Sequence, residues 1–208
     1  MCPTNHRECT PIFQTLKPLV LASKSPRRQE LLKALGLEFE VVPSRFKEPP
    51  PGEEPPNKYV RFLAAAKARE VADRRPEKVI LAADTIVVLD DHILGKPKDQ
   101  NEAQRILERL SGRAHQVYTG YTILYKGLQI CKVVTTEVIF KRLTPKEIKA
   151  YLATGEPMDK AGAYAIQGLA SYMVQEVRGS VTNVIGLPLT EVIEDLLSLK
   201  IIDFEENS

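Results

Sequence analysis

The chain has 208 residues, 43% of them hydrophobic, so it is long enough to form one domain with a real core, and global disorder is excluded. The formal net charge is only +2, with 29 basic residues and 6% aromatic residues, which favours a small anion over nucleic acid as the ligand. Cys2, Cys9 and Cys131 form no CxxC pair, so the sequence predicts neither a disulfide framework nor a zinc site.

The N-terminal segment, residues 1–17, lacks the apolar core that is typical of a signal peptide. No apolar run in the chain approaches the length of a membrane span. We therefore expect residues 1–17 to be a flexible extension, residues 18–208 to form a single domain, and the protein to be cytoplasmic.

The first predicted strand and helix enclose a pair of arginines. Residues 20–23 form an apolar strand, and Pro26 suits the first turn of a helix that ends at Gly36. Arg27 and Arg28 therefore lie where a strand turns into a helix, and both backbone N–H groups and guanidinium forks favour an anion there. The pattern indicates a polyphosphate ligand.

The middle of the chain is predicted to mix strands, helices and one stiff loop. The expected elements are a strand over 39–42, a proline-rich loop over 49–56, a helix over 59–74, a central strand over 79–89 and a short strand over 93–94. Asp99 is the expected N-cap of the next helix, with Glu102 completing a capping box, and Ser111-Gly112 ends it.

The last third is predicted to contain two hairpins and two helices. The expected elements are strands over 116–125 and 129–140, a helix from Thr144 to near Gly155, a hairpin of strands over 172–177 and 182–185, and a helix that opens at Pro188. Because strands and helices alternate irregularly, the fold class is α/β or α+β with a mixed sheet.

Asp84 stands inside the apolar run of the central strand. A carboxylate there is costly unless it is paired, hydrogen-bonded or bound to a metal. One interpretation is a structural aspartate bonded to backbone N–H groups, and the other is a metal ligand or general base.

Three further features have both a structural and a functional interpretation. Lys67 lies in the apolar stripe of its helix, where a lysine either snorkels to solvent or points inward at an anion. Glu48 and Lys96, taken alone, are ordinary surface residues. Residues 156–168 have neither helical nor strand period, and form either a connecting loop or a ligand-binding segment.

Several short motifs occur in an order and spacing that is highly specific. They are Leu21 to Arg28, Lys67-Ala68, Ala83-Asp84-Thr85, Lys96-Pro97, Leu110-Ser111-Gly112 with His115 and Thr119, and Glu156 to Gly168. Together they closely resemble the Maf family of nucleoside triphosphate pyrophosphatases. The resemblance extends from about Leu19 to about Leu197, which is nearly the whole of the expected domain.

The resemblance implies a fold and a reaction. The fold is a mixed, bent sheet flanked by helices, in two lobes with a central cleft, similar to that of the inosine triphosphate pyrophosphatases. In the reaction, water attacks the α-phosphorus of a nucleotide and releases a nucleoside monophosphate and pyrophosphate. The resemblance also implies a divalent metal cofactor (Mg²⁺, Mn²⁺ or Co²⁺) and a homodimer.

The resemblance further implies a role for each unusual residue. Asp84 would activate water and contact the metal, and Glu48 would lie near the metal. The groups expected to hold phosphates are Ser23, Arg28, Lys67 and Lys96. Phosphoryl transfer requires groups of this kind because the protein mainly positions reactants and neutralises charge.

Three positions divide the family by substrate, and here they carry Arg27, Thr85 and Gln167. This set resembles the class that acts on dTTP and UTP, whereas Trp, Gln and Glu resemble the class that acts on 7-methyl-GTP. The amide of Gln167 offers one donor and one acceptor, which match N3–H and O4 of uracil or thymine.

Other functions stay open at this stage. The same reaction on modified nucleotides or 7-methyl-GTP is the nearest alternative, and a regulatory protein of division arrest is the alternative from another class. The sequence predicts a nucleoside triphosphate as the partner, with no nucleic acid and no membrane.

Overall fold

The computed structural model describes residues 11–205. Its strands are β1 Phe13–Thr15, β2 Leu19–Leu21, β3 Glu40–Val41, β4 Val79–Leu89, β5 His92–Leu94, β6 Ala114–Tyr125, β7 Leu128–Phe140, β8 Val174–Arg178 and β9 Ile202–Phe204. Its α-helices are α1 Pro26–Lys33, α2 Pro56–Arg74, α3 Gln100–Leu110, α4 Pro145–Ala153, α5 Val181–Ile185 and α6 Leu189–Ser198. Three short 3₁₀ helices lie between α4 and β8, at Glu156–Asp159, Ala161–Ala163 and Leu169–Met173.

One mixed sheet organises the molecule. Its strand order is β3-β2-β4-β6-β7-β8, and β5 pairs with the last three residues of β4, Val87 to Leu89. Strands β2, β3 and β4 are parallel, whereas β6, β7 and β8 continue the sheet in antiparallel pairs. The predicted mixed α/β sheet with flanking helices is therefore confirmed.

Strand β4 separates the packing layers of the core, because successive residues of a strand point to opposite faces. Helix α2 covers one face, where Ile80, Ala82, Ile86 and Val88 pack in two apolar clusters. On the other face, the first half of β4 packs with α1 and α6, and the second half packs with α3 and α4. The two helix groups on this face leave the middle of β4 between them.

The second predicted hairpin is wrong. Residues 182–185, predicted as a strand, belong to helix α5, whose N-cap Ser180 accepts a hydrogen bond from the Asn183 backbone N–H. The Asn183 side chain donates to the Val117 carbonyl oxygen at 3.1 Å and to Thr136 Oγ1 at 3.0 Å. The cap and these contacts outweigh the strand preference of the β-branched residues.

The predicted flexible extension is also wrong over residues 13–17. Strand β1 pairs antiparallel with β9, and the Phe13 and Phe204 rings lie 5.1 Å apart. The Lys17 ammonium donates to the Leu199 carbonyl oxygen at 2.8 Å. Residues 1–10, with Cys2 and Cys9, lie outside the described residues. Within the described part of the chain, no helix is both long and apolar enough to span a bilayer.

Candidate active site

The candidate site is a cleft of about 920 Å³ at an unpaired edge of β4. Strand β2 pairs with this edge only up to Leu81, and β5 pairs with it only from Val87. In the described chain, neither strand pairs with the segment between them. Asp84 and Thr85 therefore open into the cleft from opposite faces of the sheet, next to the carboxyl ends of the parallel strands.

Asp84, Lys67 and Glu48 form the acid–base centre of the cleft. Asp84 is buried at 8% exposure, and its carboxylate accepts a hydrogen bond from the Lys67 ammonium. The same ammonium lies 2.6 Å from Glu48 Oε1. The Lys67 side chain is only 14% exposed, so it points inward and does not snorkel to solvent.

Helix α2 brings Lys67 to the carboxylates because it packs closely on β6. Gly120 pairs with Asp84 in the sheet, and a Cβ atom at Gly120 would lie 2.6 Å from the Val60 carbonyl oxygen. Lys67 lies two helical turns after Val60 on the same face of α2. The glycine therefore lets the helix approach the sheet at the position of Asp84.

The pKa of the Asp84 carboxyl is raised above its ordinary value by burial, and the nearby Lys67 and Arg28 cations oppose that rise. A carboxyl whose pKa is raised toward the working pH is a better general base than an exposed one. Burial also raises the pKa of Tyr59, and the Glu48 and Asp84 charges add to the effect. The Tyr59 hydroxyl donates to the Pro49 carbonyl oxygen at 2.8 Å, which anchors the loop directly after Glu48.

Arg28 is the most constrained cation of the site. Its guanidinium donates to the Gly186 carbonyl oxygen at 2.7 Å, to Ser23 Oγ at 3.1 Å and to Thr85 Oγ1 at 3.0 Å. Burial lowers the pKa of this guanidinium, and Asp84 opposes the effect. A guanidinium has five N–H donors, and within residues 11–205 three of those of Arg28 are used, which leaves two for a ligand.

The other predicted residues divide into two groups. Arg27 and Lys96 line the cleft. Gln167 is exposed and does not line it, although the adjacent residue Ile166 does. Ser23 and Thr85 line the cleft, but both of their hydroxyls accept hydrogen bonds from Arg28. The structure thus brings together every predicted site residue except Gln167.

The irregular segment Glu156–Gly168 forms part of the cleft wall. The Gly162 N–H donates to the Gly95 carbonyl oxygen at 3.2 Å, and a Cβ atom at Gly162 would lie 3.0 Å from the Val87 side chain. Ala163 is fully buried with a φ of +58°, a conformation that is costly for a residue with a side chain. The segment therefore packs closely against β4 and the end of β5.

The charge balance of the cleft favours a polyanion. Six cationic side chains and three acidic ones line it, which leaves a net charge of +3; they are Lys24, Arg27, Arg28, Lys67, Lys96 and Lys160, and Glu48, Asp84 and Asp159. Sequence reasoning missed Tyr59, Asp159 and Lys160. For the last two, their place in the irregular segment was the available signal.

The oxygen donors of the site fit a hard divalent cation such as Mg²⁺. The carboxylates of Asp84 and Glu48 both contact the Lys67 ammonium, so their oxygens lie close together. Mg²⁺ is commonly held by one or two carboxylates together with phosphate oxygens and water. In residues 11–205, no group of three His, Cys, Asp or Glu side chains could hold a metal by itself. Substrate oxygens and water would therefore complete the coordination.

Comparisons with known proteins identify the family of this chain. The family model described as Maf-like protein matches residues 18–199. A dTTP/UTP pyrophosphatase of Geobacter metallireducens is 54% identical over 184 residues, covering 87% of this chain and 95% of its own length. A dTTP/UTP pyrophosphatase of Syntrophus aciditrophicus is 46% identical over 188 residues, covering 89% of this chain and 92% of its own.

Among solved structures, the Staphylococcus aureus Ham1 protein aligns with a TM-score of 0.49 and 13% identity, covering 88% of this chain and all of that one. The family model spans nearly all of the described chain, and the two relatives are similar over most of their own length. On these findings, the chain belongs to the Maf family.

Proposed function

We propose that this protein is a hydrolase that converts dTTP and UTP to the nucleoside monophosphate and pyrophosphate. The observation that carries the proposal is the buried Asp84 carboxylate at the unpaired edge of β4, flanked by Lys67 and Arg28 in a cleft of positive charge. The similarity to relatives named dTTP/UTP pyrophosphatase supports the choice of substrate.

In the proposed reaction, Asp84 accepts a proton from a water molecule that attacks the α-phosphorus. A bond forms between the water oxygen and phosphorus, and the bond from phosphorus to the bridging oxygen breaks. Pyrophosphate leaves with the bonding electron pair, and the Asp84 proton passes to solvent. Arg28, Lys67 and Lys96 offset the charge of the phosphates, which is the main requirement of phosphoryl transfer.

The proposal includes a divalent cation held by Glu48 and Asp84. When bound, the ion would neutralise phosphate charge and polarise a phosphoryl oxygen. Base selection is assigned to Arg27, Thr85 and Gln167 by the resemblance to the pyrimidine class. A homodimer in the cytoplasm completes the proposal.

The direct test is pyrophosphate release from a panel of nucleotides with Mg²⁺ or Mn²⁺. We expect UTP and dTTP to be hydrolysed, and 7-methyl-GTP to be a poor substrate. The Gln167→Glu variant should shift relative rates toward 7-methyl-GTP, because a glutamate accepts from the two donors on the guanine edge. No pyrophosphate from either pyrimidine nucleotide would overturn the proposal.

The general-base role is tested by Asp84→Asn. We expect turnover to be lost while the circular dichroism spectrum is retained, since asparagine has a similar shape but cannot take up the proton. The exposed Asp91→Asn lies outside the cleft and is the matched control. Full activity in Asp84→Asn would remove this residue from the mechanism.

A further inference from the structure

Lys160 is a cation of the cleft that the proposed reaction does not use. It lines the cleft together with its neighbours Asp159 and Ala161 and with the arginines of α1. The Lys160 side chain is only 16% exposed, although a lysine usually extends its ammonium into solvent. The Lys160 side chain is therefore largely covered where it lines the cleft.

The backbone next to Lys160 is fixed by unusual contacts. Gly162 is tied to Gly95 and packed against Val87, and the strained Ala163 follows it. The first of these contacts joins the wall to the residue before Lys96. Lys96 and Lys160 thus lie on connected pieces of backbone and face the same cleft.

Asp159 is the ion-pair partner of the Lys160 ammonium. The Asp159 side chain is 76% exposed, so it is not required by the core. Its pKa is lowered chiefly by the hydrogen bond from Lys160 and also by the Arg27 charge. A phosphate that entered the cleft would meet Lys160 already paired with an exposed carboxylate.

We infer that Lys160 is a further phosphate-binding residue of the cleft, and that Asp159 competes with phosphate for its ammonium. The inference rests on the proposed function and extends it to the end of the nucleotide that leaves as pyrophosphate. In this inference Lys160 binds the anion together with Lys96 and Arg28, which line the same cleft. Asp159 lowers the affinity of the cleft for the pyrophosphate product.

The test is the affinity for pyrophosphate, measured by titration calorimetry with excess Mg²⁺. For Lys160→Met, we expect the dissociation constant to rise by about tenfold or more, since a hydrogen bond to a charged group contributes about 1.5 kcal/mol or more. For Asp159→Asn, we expect it to fall by about twofold to fivefold, since an exposed ion pair contributes up to about 1 kcal/mol. Lys98→Met removes an exposed charge outside the cleft and should leave the dissociation constant for pyrophosphate at its wild-type value.

The opposite signs of the two variants separate the inference from a general loss of stability, because a damaged fold weakens binding in both. Unchanged affinity in both variants, or weaker binding by Asp159→Asn, would overturn the inference. If the inference is overturned in this way while UTP is hydrolysed normally, the proposed function is kept and only the role of Lys160 is lost. If pyrophosphate binding follows the expected pattern but no nucleotide is hydrolysed, the proposed function fails and the phosphate site stands.

Discussion

A single ammonium, that of Lys67, forms ion pairs with two carboxylates at the centre of the cleft, those of Asp84 and Glu48. Burial raises the pKa of Asp84, whereas Lys67 and then Arg28 lower it, so the protonation state of the proposed base is a balance of opposing effects. The Glu48 side chain is about half exposed, whereas that of Asp84 is almost fully buried. The lysine therefore keeps Asp84 available as a proton acceptor.

Removing this cation should change the pH dependence of catalysis. In Lys67→Met the pKa of Asp84 is expected to rise, because burial then acts with less opposition. The acid limb of kcat/KM, below which the base is protonated, should move to higher pH. At neutral pH, kcat/KM should fall about tenfold or more with the lost charge-assisted contact.

The measurement is a pH–rate profile for UTP hydrolysis. Lys58→Met, on the same helix but outside the cleft, is the control and should keep the wild-type limb. An acid limb that stays in place in Lys67→Met would show that Lys67 does not set the protonation of the base.

At this scale the sequence predicted which residues line the cleft better than it predicted how their side chains are directed. Asp84 could be identified because a carboxylate inside an apolar run is costly unless it has partners. The inward direction of Lys67 could not be predicted, since a lysine stem reaches solvent from many positions on a helix. Gln167 lies outside the cleft lining, and its role in base selection stays a prediction.

Among the elements, the close packing of helix α2 on strand β6 determines the position of Lys67 in the cleft. Gly120 lies opposite Asp84 in the sheet and under the Val60 carbonyl of α2. Any side chain there would push the helix outward, and Lys67 would move with it. The position of the charged centre thus depends on a residue that carries no side chain.

Gly120→Ala is expected to destabilise the protein by about 1–3 kcal/mol through overpacking. Activity should fall as well, because Lys67 is displaced from Asp84. Urea denaturation and UTP hydrolysis measure the two effects. Gly95→Ala is the stability control, since among the described residues no atom beyond its two chain neighbours lies within 4 Å of the added methyl group. Equal stability of Gly120→Ala and wild type would contradict this account of the helix packing.

His115 connects β6 to the irregular wall of the cleft. It is 2% exposed, its Nε2 lies 2.8 Å from the Tyr164 hydroxyl, and burial lowers its pKa to about 4. Its Nδ1 has no hydrogen-bond partner in the described chain. The imidazole is therefore neutral in the folded protein at neutral pH.

The His115 contribution to stability should depend on pH. The unfolded chain binds the proton near pH 6.5 and the folded one only near pH 4, so stability is present above 6.5 and is lost as the pH falls toward 4. The loss amounts to at most about 3 kcal/mol. It is measured as the difference in free energy of unfolding between wild type and His115→Gln across this range. Parallel curves for the two proteins would contradict the expectation.

Local signals predicted the elements well where side chains act on their own backbone. The Asp99 cap and the Thr144–Glu147 capping box are both present, and both helices begin where expected. The capping box predicted for Glu102 is wrong, because its carboxylate accepts from the Lys98 backbone N–H and not from that of Asp99. Helix α5 was missed because its five residues are held by Asn183 contacts to distant strands. Such contacts leave no periodic pattern in the sequence.

For the whole molecule, the pairing of β1 with β9 joins the two ends of the described chain. Phe13 is 7% exposed and packs with the cluster that covers the first half of β4. The partner strand is nearly the whole chain length away, so no local pattern could predict this pair. The ordered structure therefore begins before residue 18.

Deletion of residues 1–17 should lower the free energy of unfolding by about 3 kcal/mol, comparable to truncating a buried phenylalanine. Deletion of residues 1–10 keeps the strand pair and is the matched control. Chemical denaturation of the two shortened proteins measures the difference. Equal stability would mean that β1 contributes nothing to the fold.

The antiparallel register of β1 and β9 also sets how the protein responds to force. Phe13 pairs with Phe204 and Thr15 with Ile202, so both chain ends leave the strand pair at the Phe13–Phe204 end. A force that pulls the two ends apart therefore acts first on that end of the pair. The hydrogen bonds then break one after another, as in a zipper, rather than together as in shear. Traction by an unfolding machine would release this short ribbon first, and would reach the large sheet and the cleft only afterwards.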